Sequence, residues 1–170
     1  AMTNTIAFVL DGREVLAQPG ETIWAVAQRS GIEIPHLCYS PAPGYRPDGN
    51  CRTCMVEIEG ERVLASSCNR LPETGMVVHS VSARARFARA MVIELLVADQ
   101  PTRSASHDPD SEFWQWAERI GQVESRFPKR PAPPSDPSHP AMLVNLDSCI
   151  HCTRCVRACR EVQVNDVIGM

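Results

Sequence analysis

Eight cysteines in 170 residues fall into two sets of four. In the first set, twelve residues separate Cys38 from the pair Cys51 and Cys54 in CRTC, and thirteen more separate that pair from Cys68. Two thiolates two residues apart on a turn, with one more arriving from each side, can enclose a four-coordinate inorganic centre. The second set, Cys149, Cys152, Cys155 and Cys159, is compressed into the run C-x2-C-x2-C-x3-C. An even cysteine count also permits disulfides, but that framework belongs to small secreted scaffolds. Here no charged n-region leads the chain, Asp11 and Gly12 precede any apolar h-region, and the C-x2-C pairs serve metals better than staples. Free thiols in a reducing, cytoplasmic setting are expected.

The second run has the spacing by which three thiolates, Cys149, Cys152 and Cys155, hold a cubane [4Fe-4S] cluster. Cys159 then serves either a second such cluster or the fourth corner of the first, and no second copy of the run is present. Three cysteines so close together suit separated irons better than one zinc ion. The first set departs from the plant-type spacing in its longer first gap, and fits a [2Fe-2S] centre in order of ligands. A zinc-stabilised interaction domain is the competing reading. An iron- or redox-sensing regulator is a third, disfavoured because no basic helix is available to read DNA.

These sulfurs need elements to hold them. Ile6–Leu10 and Glu14–Ala17 flank Asp11-Gly12, a hairpin signal. Thr22 can cap a helix over IWAVAQRS that stops at Gly31. The loop YSPAPGYRPDGN is too rich in Pro, Gly, Asp and Asn for a helix or central strand, so it must wrap something. Met55–Glu59 and Arg62–Ser66 read as a second hairpin about Gly60, and Met76–His79 as a further strand. Ser82–Ala98 reads as a long helix buried through the rows Phe87, Met91, Leu95 and Ala88, Val92, Leu96. Another helix starts near Asp108-Pro109 and ends at Gly121, with Phe113, Trp116, Ala117 and Ile120 inward. Six prolines in PKRPAPPSDPSHP make a stiff connector before a short strand at Met142–Leu146. The net charge of −3 excludes a nucleic-acid partner, and no apolar run is long enough to span a membrane.

With these residues in view, HLCY…GNCRTCMVEIEG…ASSC resembles the N-terminal [2Fe-2S] domain in the large iron-sulfur subunits of NADH-linked complexes. VNLDSCIHCTRCVRACREVQVNDVIGM resembles the first cubane motif of the same subunits. Those subunits include NADH:quinone oxidoreductases, NAD-reducing hydrogenases and NAD-dependent formate dehydrogenases. Many relatives carry a one-histidine, three-cysteine cluster site after the long helix. Here those positions read Gln100, Ser104, His107 and Phe113, so that cluster must be absent. FWQWAERIG, SRFP and the proline connector are most similar to the formate dehydrogenase α subunits. Arg160 stands where such runs usually carry proline.

The resemblance implies an α+β chain: a ferredoxin-like β-grasp domain over 1–80, a helical segment over 81–127, a Pro-rich connector over 128–141, and over 142–170 the first half of a [4Fe-4S] module, cut before its second motif. It implies [2Fe-2S] ligation by Cys38, Cys51, Cys54 and Cys68, and electron relay without substrate chemistry. Formate would be oxidised at a molybdenum or tungsten bis-pterin site in the remainder of the same subunit. A flavin-bearing, iron-sulfur β subunit would reduce NAD. The same segment of a quinone oxidoreductase or a hydrogenase is the alternative. Arg52, Arg154 and Arg157, beside expected ligands, could offset anionic clusters or be solvated surface charges.

Overall fold

A computed structural model describes residues 5–169; residues 1–4 and 170, at the outer ends of the first and last expected segments, lie outside the described residues. The chain forms two compact units. One takes the described residues up to Arg89 together with those from Thr153 on, and the other takes Ala90–Cys152. These divisions fall at other places than the expected 80, 127 and 141, and the second lies inside the cysteine run.

In the first unit, β1 (Ile6–Leu10) and β2 (Arg13–Ala17) pair antiparallel about Asp11 and Gly12, whose φ values of 49° and 79° are the left-handed pair that such a two-residue turn needs. The Asp11 carboxylate accepts from the Ser80 amide at 2.6 Å and its hydroxyl at 2.5 Å, tying this turn to the end of β5 (Val77–His79). β5 runs parallel to β1, and β3 (Met55–Ile58) pairs antiparallel with both β5 and β4 (Ala65–Ser66). The sheet order is therefore β2-β1-β5-β3-β4. The expected strand at Arg62–Ser66 shrinks to two residues.

Helix α1 (Ile23–Arg29) belongs to the core formed with this sheet. Thr22 caps it, its hydroxyl accepting from the Ala25 amide at 3.3 Å, and Gly31 at φ 74° turns the chain away. Phe8, Leu10, Ile23, Val26, Val56 and Val78 are buried completely or nearly so. Each is worth about 1.5–3 kcal/mol of transfer free energy, so the apolar face of α1 fixes its seat on the sheet.

Helix α2 (Ala83–Ala98) starts at Ser82, whose hydroxyl accepts from the Ala85 amide at 3.1 Å. Its buried row is Ala85, Arg89, Ile93 and Val97, while Phe87 is 68% and Leu95 49% exposed. This corrects the expected face. The Phe87-Met91-Leu95 row is more apolar, yet the inward row is the one carrying Arg89, whose guanidinium meets a carbonyl acceptor described below.

In the second unit, α3 (Glu112–Ile120) begins at Ser111, three residues after Asp108, and ends on Gly121 in the left-handed conformation. It buries Phe113, Trp114 and Ala117. Trp114 thus takes the inward place expected for Trp116, which instead lies under the Arg119 guanidinium at 4.9 Å. Glu94, on α2, receives the Arg126 guanidinium at 2.7 and 2.9 Å and its amide at 3.0 Å. The proline-rich stretch does not stay a plain connector: β6 (Asp136–His139) and β7 (Met142–Val144) form an exposed two-stranded ribbon. Two-stranded pairing tolerates Pro137 because an edge can spare its donor. No helix among the described residues is long and apolar enough to cross a membrane.

Candidate metal centre

The wrapping loop between α1 and β3 is held by side chains at both ends. Trp24 donates its indole N–H to the Ile34 carbonyl at 3.0 Å, and its ring meets His36 and Tyr39 edge-on at 4.6 and 5.0 Å. His36 is therefore a packing residue of the loop. At the other end Gly49 takes φ 63°, and a Cβ there would lie 2.7 Å from Asn69 Nδ2. Asn69 is fixed by the Ser66 hydroxyl at 2.5 Å, so no larger residue fits at position 49 without moving it.

The structure brings the first four cysteines together. Cys38, Cys54 and Cys68 are buried, and Cys51 is partly exposed. Cys38 and Cys51 exchange bonds, each amide donating to the other's sulfur, at 3.3 and 3.4 Å, and the Thr53 hydroxyl lies 3.0 Å from Cys51 Sγ. Cys54 leads into β3 against Cys68, with its carbonyl taking the Ser67 amide at 3.1 Å and hydroxyl at 2.8 Å. The thiols are linked in the order Cys51, Cys38, Cys68, Cys54. Arg52, between the CRTC cysteines, takes the left-handed conformation at φ 61°, which turns the chain sharply between Cys51 and Cys54.

The electrostatics follow from this crowding. Hydrogen bonds from Cys51 and then Cys68 bring Cys38 down to about 2, and one from Cys68 brings Cys54 to about 7. The same contacts push Cys51 and Cys68 up, with burial adding to the rise. Four neighbouring sulfurs cannot all be anionic unless cations replace the shared protons. Four thiols in two close pairs suit two tetrahedral irons, each taking one pair. Among the described residues no three His, Cys, Asp or Glu side chains are arranged as the ligands of a single ion.

Two buried arginines bear on the cage. Arg89 donates to the Met55 carbonyl, next to Cys54, at 2.9 and 2.6 Å. Burial lowers its pKa, and the Cys54 and Asp11 charges oppose that fall. Arg157 donates to the Cys38 carbonyl and to the Arg46 carbonyl, the latter at 2.7 Å. The sequence pointed to Arg157 only by its nearness to a cysteine, and missed Arg89. The signal for Arg89 was its place four residues from Ala85 and from Ile93 on one helical row. Arg52, by contrast, is exposed.

The second set is divided. Cys149 and Cys152, both half-buried, lie in the second unit; Cys155 and Cys159 lie in the first. Cys155 is exposed on α4 (Arg154–Arg157), and Cys159 is buried in the wider helical turn that follows, its sulfur accepting from the Val167 amide at 3.3 Å. His151 and Thr153 on either side of Cys152 are left-handed, at φ 52° and 60°.

A family described as "2Fe-2S iron-sulfur cluster binding domain" matches residues 3–83. The chain also superposes on a chain from the crystal structure of an NAD+-reducing [NiFe]-hydrogenase in the H2-reduced state. That match has a TM-score of 0.83 and 30% identity, and covers 97% of this chain and 70% of the other. Residues 3–83 form a domain of this 2Fe-2S family, and the chain belongs with the iron-sulfur subunits related to that hydrogenase chain. It is 32% identical over 124 residues to an NADH-quinone oxidoreductase subunit of Rickettsia typhi, and 34% identical over 129 residues to the NADP-reducing hydrogenase subunit HndD of Solidesulfovibrio fructosivorans. These matches cover 72% and 73% of this chain. The chain spans 18% and 22% of those two proteins' lengths. The relatives of this chain thus include subunits of oxidoreductases.

Proposed function

We propose that this chain relays electrons within a larger oxidoreductase subunit, with Cys38, Cys51, Cys54 and Cys68 holding a [2Fe-2S] cluster. The observation that carries this reading is the set of four linked thiols, three of them buried, on a ferredoxin-like sheet. When bound, such a cluster accepts and returns one electron at a time. The protein's own contribution is rigidity: strand β3, the Ser67 bonds to Cys54 and the Trp24 bracket fix the sulfurs so that charge changes with little movement. Cys149, Cys152 and Cys155 would bind a [4Fe-4S] cluster, with Cys159 completing it or serving a second. The segments 1–80, 81–127, 128–141 and 142–170 remain our functional division of the chain.

The whole enzyme is, on this reading, a cytoplasmic NAD-dependent formate dehydrogenase. The replaced cluster site at Gln100, Ser104, His107 and Phe113 and the resemblance of FWQWAERIG support it. Its molybdenum or tungsten pterin centre would lie in the rest of the subunit, and its partner would be a flavin-bearing β subunit. The likeness to the hydrogenase structure supports a second reading, the equivalent segment of an NAD-reducing hydrogenase or quinone oxidoreductase. Anaerobic reconstitution with iron and sulfide, followed by iron and sulfide counting and low-temperature EPR, tests the relay. A colourless protein with stoichiometric zinc refutes it. NAD reduction by the complete complex with formate, against hydrogen, separates the formate dehydrogenase from the hydrogenase, and NADH oxidation by quinone without either marks the quinone oxidoreductase.

A further inference from the structure

Arg157 lies in the second cysteine run, between Cys155 and Cys159, yet its side chain is almost wholly buried against the loop that carries Cys38. Its guanidinium reaches the Cys38 and Arg46 carbonyls, pairs with Asp48 at 3.1 Å, and stands 5.7 Å over the Tyr45 ring. The surrounding contacts join the same two stretches. Thr153 donates to Asp48 at 3.3 Å, Tyr45 to the Arg154 carbonyl at 3.5 Å, and Arg46 pairs with both Asp48 at 2.8 Å and Glu161 at 2.9 Å. Gly44 lets the two stretches close on each other: a Cβ there would lie 3.3 Å from Val162.

A buried cation is retained only where its charge and donors are met. Here they are met by the backbone of one proposed cluster ligand and by a carboxylate on the same loop. We infer that Arg157 is a positioning residue, which docks the Cys155–Cys159 segment on the Cys38 loop and biases the [2Fe-2S] centre toward its reduced state. The inference rests on the relay reading above. A charged donor at the Cys38 carbonyl, its fellow N–H held on the Arg46 carbonyl, favours the form carrying the extra electron. Removing it also leaves the Asp48 carboxylate with less positive charge, which acts in the same direction.

The test compares the full chain with Arg157→Gln and Arg157→Lys, each reconstituted anaerobically with iron and sulfide. Amide hydrogen exchange is followed over residues 154–162, with Val56 and Val78 in the sheet as internal controls, alongside an EPR-monitored redox titration. Expected for Arg157→Gln are at least about tenfold faster exchange over 154–162, unchanged exchange at the controls, and a lower [2Fe-2S] midpoint potential. Lys, a point charge without the planar fork, restores part of the potential but not the protection. Unaltered exchange or an unaltered midpoint in Arg157→Gln overturns the proposal. If that variant loses the control protection as well, Arg157→Lys decides by the same exchange measurement. A wild-type chain that takes up no iron refutes the relay reading, while exchange in the iron-free protein still reports whether Arg157 docks the segment.

Discussion

At the scale of single residues, the cage depends on groups that carry no sulfur. Gly49 is required by both backbone and space: its φ of 63° is left-handed and the Asn69 amide nitrogen would lie only 2.7 Å from a Cβ. Gly49→Ala is expected to cost about 1–2 kcal/mol from the backbone alone, seen as a lower denaturant midpoint with an unchanged slope. A variant as stable as the parent would show that the turn opens freely. Arg89 was hidden from sequence reasoning because arginine is ordinarily a surface residue, and its acceptor, the Met55 carbonyl, is far off in the chain. That Cys38, Cys51, Cys54 and Cys68 come together was legible because such spacing is itself a local property, written within a few dozen residues.

At the scale of elements, local rules worked where the decisive contact is local. The Asp11-Gly12 turn, the Thr22 cap and the Gly121 stop follow from backbone preferences within four residues. The orientation of α2 does not. Its apolar residues lie on more than one row, and the row that is buried is the one whose Arg89 reaches a carbonyl of β3. Two substitutions measure that choice. Ile93→Ala should destabilise by about 2–5 kcal/mol, as large-to-small changes in a core do. Phe87→Ser, on the exposed row, should stay within about 0.5 kcal/mol. The reverse order would restore the face expected from periodicity. Farther along α2, Arg126 holds the Glu94 carboxyl below the ordinary value of 4.5, chiefly by side-chain hydrogen bonding. A carboxyl with a lowered folded pKa stabilises fully above its unfolded value and loses that contribution as pH falls through the folded one. Melting temperatures of the parent and Glu94→Gln should therefore differ at neutral pH and converge toward acid. Parallel curves would exclude this linkage.

At the scale of the whole molecule, the sequence divided the chain by composition, and the proline-rich stretch was the obvious break. The compact units divide elsewhere because compactness follows contacts. Thr153 and the residues after it return to the N-terminal unit through Arg157 and Arg46, side chains whose charges read as surface features. Cys54→Ser should abolish the [2Fe-2S] EPR signal while leaving iron bound by the second set. Retention of the first signal would remove Cys54 from the ligands.

The bracket formed by Trp24 has a practical corollary. This indole is only 3% exposed, beside the segment that bears Cys38, and its amide donates to the Ser67 carbonyl, next to Cys68. The other two tryptophans, Trp114 and Trp116, belong to the second unit. A coloured inorganic chromophore assembling among those sulfurs would drain the excited state of Trp24. The chain therefore carries a built-in fluorimetric gauge of its own maturation, legible in a cuvette without labels: emission dims as iron and sulfide enter, and brightens when a chelator strips them.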